Sequence, residues 1–187
     1  MLNSSLTCSD HINAVVSKVY YVLRNLRRTA SCTPLQTKLH LVRQLIIPII
    51  SYAETVYPSL DSASLHKLQV AFNFATRYVY CLRRRESVSR WSKEILGCTI
   101  EDYLKIRSCV FLFKLINTQT PPYLFEKLRF SQSNRCVTFI LPSFKYTSSR
   151  RLFFISAVRL WNSLPMVIRK TSESSKFKSL VSIHLSS

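Results

Sequence analysis

Residues 65–85 read LHKLQVAFNFATRYVYCLRRR. Leu65, Leu68, Phe72, Ala75, Val79 and Leu82 follow one another at intervals of 3, 4, 3, 4 and 3. That spacing lays one apolar stripe along an α-helix. Pro58-Ser-Leu-Asp reads as a turn ahead of it, and Asp61 or Ser62 is suited to cap its start. Arg83, Arg84 and Arg85 are expected to end the helix, where cations complement its dipole. A stripe of this kind packs on other helices, so the flanking sequence decides the architecture.

Upstream, Ile12, Val16, Val19, Leu23, Leu26 and Ala30 form a second stripe starting near a Ser9 or Asp10 cap. Lys18, Arg24 and Arg28 lie away from that stripe. Thr33-Pro34 opens another helix with the stripe Leu35, Leu39, Val42, Leu45 and Ile49. Pro48 is expected to kink or break it. The surrounding LIIPII is apolar nearly all round and is expected at the centre of the core. Downstream, Ser89 to Leu96 reads as a short helix closed by Gly97, the glycine expected just past a helix end. Thr99-Ile-Glu-Asp opens a helix with Tyr103, Ile106, Val110, Phe113 and Ile116 inward. Pro122 to Phe130 reads as a short helix. A candidate strand covers Cys136 to Leu141, Phe153 to Leu164 is anchored by Trp161, and Lys176 to Leu185 reads as a last helix. The fold class is mostly α: a three-helix bundle over 9–86, a helical extension over 87–130, and a looser basic segment over 131–187.

The composition narrows the function. The 187 residues are 47% apolar, enough for a sizeable core, and Gly97 is the single glycine. Glycine-rich phosphate loops and nucleophile elbows need several glycines and are excluded. Twenty-seven Lys and Arg against nine Asp and Glu give a net charge of +18. Such asymmetry points to a polyanionic partner. The six cysteines stand at 8, 32, 81, 98, 109 and 136, with no CxxC spacing. Cys81, Cys98 and Cys109 read as buried thiols. A reducing compartment, nucleus or cytoplasm, is expected, with no secretion. The longest uncharged apolar run, Gln44 to Ala53, is too short to span a bilayer, so no membrane partner is expected.

The four histidines are far apart and form no metal-ligand or triad spacing. Glu101-Asp102 sits at a helix start and reads as capping. Nucleotidyl transfer needs carboxylates converging on metal ions, and this chain offers no such set. No catalysis by the chain alone, no catalytic residue, no metal ligand and no cofactor are therefore expected. The basic residues carry the functional reading. Lys18, Arg24, Arg28, Arg77, Arg83, Arg84, Arg85, Arg150, Arg151, Arg159, Arg169 and Lys170 are candidate phosphate contacts. Tyr20, Tyr21, Tyr78 and Tyr80 interleave with them and suit stacking on bases. The plain alternative is a solvated cationic face with packed tyrosines.

Three stretches, SSLTCSDHINAVVSKVYYVLRNLRR (4–28), LVRQLIIPIISYAETVY (41–57) and LHKLQVAFNFATRYVYCLRRRESVS (65–89), resemble one known region. It is the region after the polymerase palm in reverse transcriptases of jockey-like non-LTR retrotransposons. FKLINTQTPPYL (113–124), FFISAVRLWNSLPMVIRK (153–170) and FKSLV (177–181) resemble the C-terminal tail of the same group, in the same order. The resemblance implies that residues 1–8 are the remnant of the palm edge and that 9–86 is thumb-like. It also implies that the catalytic YxDD strand, the fingers and their Mg²⁺ site lie upstream of Met1. Asn3 and Cys8 stand where the family tends to have an acid and an aromatic. Ser51-Tyr-Ala-Glu-Thr lacks aspartates and is not read as catalytic. The implied role is binding of RNA or an RNA–DNA duplex as part of an RNA-directed DNA polymerase. The alternatives are a translated remnant of a decayed element and a helical protein-interaction module.

Overall fold

A computed structural model describes residues 9–52, 60–131, 137–141 and 153–186. The expected palm-edge remnant at 1–8, residues 53–59, most of the 131–149 stretch, Arg150 and Arg151 lie outside the described residues. The chain is mostly helical. The described residues divide into two compact units, one up to Glu101 and the other from Asp102 onward.

The first unit is built around α4 (Ser62–Tyr80). Asp61 caps it, its carboxylate accepting the Ser64 N–H at 3.4 Å. Leu68, Phe72, Ala75 and Val79 of the expected stripe are buried, but so are Ala71, Thr76 and Tyr78. The helix is thus covered on more than one side. It packs against α1 (Ser9–Arg27), α2 (Leu35–Leu41) and α5 (Ser89–Leu96). The central position expected for LIIPII belongs to α4, since Leu45 and Pro48 are exposed. On α1, Ile12, Val15, Val19 and Leu23 are buried, and Lys67 Nζ donates to Asn13 Oδ1 at 2.8 Å to join the two helices.

The second helix departs most from its periodicity. Its buried face is Lys38, Val42, Ile46 and Ile50, while Leu35 and Leu45 are exposed. Inward residues four apart drift around an α-helix of 3.6 residues per turn. A π-helical turn at Val42–Ile46 widens the coil and keeps these four on one side before α3 (Ile47–Ser51). Pro48 sits at the start of α3. Having no N–H and clashing with the carbonyl four residues back, it disfavours an unbroken α-ladder there.

Gly97 ends α5 with φ +81, and its N–H reaches the Lys93 carbonyl at 2.6 Å. Tyr80 packs on Trp91 of α5 with centroids 4.4 Å apart, and Ile95 is buried. This contact joins α5 to α4 within the first unit.

The second unit is organised by α6 (Ile100–Thr118), whose first two residues fall in the first unit. Ile106, Cys109, Leu112, Phe113 and Leu115 are all buried, so α6 shows no single stripe. The expected helix to Phe130 is shorter, a single turn α7 (Pro122–Phe125). The candidate strand contributes one antiparallel bridge, Phe130 with Phe139, and Cys136 lies outside the described residues. Helices α8 (Phe153–Ser163), α9 (Met166–Arg169) and α10 (Ser174–Ser186) follow. Phe177 of α10 stacks between Phe113 at 4.3 Å and Trp161 at 5.5 Å. Over these three helices the basic C-terminal segment is folded around an aromatic core, and the looseness expected for it does not extend to them.

Candidate nucleic-acid interface

The first unit carries a cleft of about 490 Å³ lined by Tyr20, Arg27, Val70, Phe74, Arg77, Leu82 and Arg84. Its construction follows from helical spacing. Tyr20 and Arg27 stand seven apart on α1, and Val70, Phe74 and Arg77 stand at i, i+4 and i+7 on α4, so each set shares a face. Tyr20 meets Phe74 edge-on with centroids 5.4 Å apart. The Arg27 guanidinium carbon lies 4.2 Å from the Phe74 centroid.

The third wall comes from the end of α4. The expected continuation of this helix to the Arg83–Arg85 run does not occur. α4 stops at Tyr80, and Cys81 takes the left-handed conformation at φ 53. This turn sends the chain off the helix axis, so Arg83, Arg84 and Arg85 are exposed on a turn and not on the last helical turn. Arg77 is the basic residue of that last turn. Its Nη2 donates to the Arg84 carbonyl at 3.4 Å and the Glu86 carbonyl at 3.3 Å. Arg77 therefore holds the loop that presents Arg84, and its Nε is buried with no hydrogen-bond partner. Three guanidinium groups and two aromatic rings converge here, with no carboxylate in the lining. Their summed field concentrates anions, and the rings offer a surface on which an unpaired base can stack.

The other candidates divide. Lys18 is exposed beside a second cleft of about 400 Å³ between α1 and α3, lined also by His11, Pro48 and Tyr52. Arg24 and Arg28 are exposed on α1 and just after it, outside both clefts. Arg159 and Lys170 are exposed in the second unit. Arg169 is half-buried and donates from Nη1 to Thr138 Oγ1 at 3.0 Å, so its guanidinium serves the packing of α9 on the bridge segment. Tyr21 is exposed, whereas Tyr78 is buried and Tyr80 is stacked on Trp91. Of the four tyrosines, only Tyr20 lines the cleft. Cys81, expected as a buried thiol, is exposed, while Cys98 and Cys109 are buried.

Arg27 and Phe74 are the residues that the sequence reading missed. Arg24 and Arg28 stood out because they lie away from the apolar stripe. Arg27 instead shares the face of Tyr20, and that seven-residue interval is the signal that pointed to it. Among the described residues no group of three or more His, Cys, Asp or Glu is placed to hold a metal ion. None of the helices described is long and apolar enough to cross a membrane. No family model, curated protein or solved structure matches the chain.

Proposed function

We propose that this chain binds nucleic acid through the α1–α4 cleft, as the thumb-like and tail portion of a jockey-like non-LTR reverse transcriptase. It supplies a hold on template and primer, with the polymerase chemistry residing in a palm that these residues do not form. The observation that carries the reading is the convergence of Arg27, Arg77 and Arg84 with Tyr20 and Phe74 in one cleft. The net charge of +18 and the order of the motifs support it. Phosphates meet Arg27 and Arg84, Arg77 fixes the loop, and an unpaired base stacks on the Tyr20 ring. The alternative of an interaction module built on the Leu65–Leu82 stripe draws less support, because Leu68, Phe72, Ala75 and Val79 are already buried within their own unit.

The test compares two charge-matched variants on an RNA template with an annealed DNA primer and a single-stranded overhang. Arg27→Gln/Arg84→Gln removes two cleft cations. Lys114→Gln/Lys127→Gln removes two exposed cations of the second unit. With helicity unchanged by circular dichroism, the first is expected to weaken binding roughly tenfold and the second much less. Equal losses would assign binding to diffuse charge and remove the cleft from the account.

A further inference from the structure

Lys38 is 5% exposed on α2, and its Nζ lies 3.2 Å from the Cys81 Sγ. A buried ammonium ordinarily has a carboxylate or several carbonyls around it. Here the hydrogen-bond partner is a thiol. Tyr78 stands beside the pair, its ring centroid 5.9 Å from Nζ. Tyr78 is 3% exposed, and its hydroxyl is buried without a hydrogen-bond partner. Cys81 as a residue is exposed, and its left-handed backbone is uncommon for a side chain with a Cβ. Glycine or asparagine would fill that cap with less strain. Strain retained at a reactive group is a mark of a functional position.

We propose that Cys81 and Lys38 form an oxidation site, in which a hydroperoxide converts the thiol–amine pair into a covalent S–N link between α2 and the end of α4. The thiolate is the nucleophile, and the Lys38 nitrogen stands within hydrogen-bond reach of it. In the first step the Cys81 sulfur attacks one oxygen of hydrogen peroxide, forming an S–O bond as the O–O bond breaks. The departing hydroxide takes a proton from the Lys38 ammonium and leaves as water. Sulfur is oxidised by two electrons and the peroxide is reduced by two. The product is a sulfenic acid facing a neutral amine. In the second step the Lys38 nitrogen attacks that sulfur, the S–O bond breaks, and the hydroxide removes one amine proton as a second water. Two equivalents of an external thiol reverse the link, returning Cys81 and Lys38 and forming one disulfide. In a reducing compartment such a link is transient, as a redox signal requires.

The experiment uses the full chain and needs no variant for its first arm. The protein is treated with hydrogen peroxide and digested with trypsin, and the peptides are weighed. The expected product joins the Lys38 and Cys81 peptides at their summed mass less two hydrogens, resists cleavage after Lys38, and is released by dithiothreitol. Cys32 is also exposed but has Ser31 Oγ at 3.7 Å in place of an amine, and should form no such link. In Lys38→Met the Cys81 oxidation should stop at the sulfenic acid, which dimedone traps. The proposal is overturned by sulfenic acid at Cys81 with Lys38 still cleaved by trypsin, or by Cys81 left unoxidised under peroxide.

Discussion

Arg27 lays its guanidinium 4.2 Å from the centre of the Phe74 ring, tying the last turn of α1 to the middle of α4. The two residues are 47 positions apart in sequence, so this contact exists only once the first unit has folded. It links two properties of the cleft, because the same pair that closes α1 on α4 also supplies a cation and a ring to the binding surface. A double-mutant cycle separates them. Phe74→Leu and Arg27→Gln are each made alone and together, and unfolding is followed in urea. The coupling energy is expected at about 0.5–1 kcal/mol, the range for a partly exposed cation–π contact. Additive losses would mean that the contact contributes nothing to the closure of α1 on α4.

In the second unit Asn162 ties α8 to the segment that carries Phe139. Its Nδ2 donates to the Phe139 carbonyl at 2.9 Å, and its Oδ1 accepts the Phe139 N–H at 3.2 Å. One amide thus satisfies both backbone groups of a buried residue. Asn162→Ala should cost about 1–3 kcal/mol, the penalty for leaving buried polar groups unpaired. Asn162→Asp retains the acceptor but turns an oxygen toward the Phe139 carbonyl, and should recover little of that loss. Thermal melts of the three proteins decide it, since full recovery by Asp would show that only the N–H bond matters.

The helices of the first unit were readable because their signals are local. Asp61 begins α4, Gly97 ends α5, and the α4 stripe is buried from Leu68 to Val79. The α1 stripe holds at Ile12, Val19 and Leu23, with Val15 buried where Val16 was expected and the helix ending before Ala30. The errors share one cause, which is contact between residues distant in the chain. Lys38 is buried because Cys81, 43 positions on, receives its amine, and no local pattern announces a buried lysine. Cys81 is not a residue type that signals a left-handed cap, so the helix was carried past Tyr80 into the arginine run. Of the stripe expected on α6 only Ile106 and Phe113 are buried, because burial extends around the helix to Leu104, Cys109, Leu112 and Leu115. The candidate site was half legible: Tyr20, Arg77 and Arg84 stood out by charge and type. Arg27 and Phe74 take part through a pairing that only the fold creates.

Alkaline pH should loosen the second unit. Burial pushes the Cys109 thiol up to about 12, against about 8.5 for a free thiol. The folded state therefore holds its proton more tightly than the unfolded state. Its contribution is complete below about pH 8.5 and is lost as pH rises toward 12. By about pH 10 the loss should be on the order of 1–2 kcal/mol. Burial also raises Tyr78 above its usual value, which adds a further decline in the first unit at still higher pH. Urea midpoints measured between neutral pH and about pH 10 test this, with Cys109→Ala as the control. The control should be less stable at neutral pH and show a flatter decline. An identical decline in both would place the alkaline sensitivity elsewhere.

The most direct test of the central claim is the salt dependence of binding to a primed RNA template. The unmodified chain is titrated against labelled template–primer by fluorescence anisotropy at several salt concentrations between about 50 and 200 mM. If several phosphates are neutralised, affinity should fall by tenfold or more over that range, on a straight line of log affinity against log salt. The slope should be shallower for Arg27→Gln/Arg84→Gln, because two of the phosphate-neutralising cations are gone. A flat salt response, or no binding at the lowest salt, would contradict the account of this chain as a nucleic-acid-holding module.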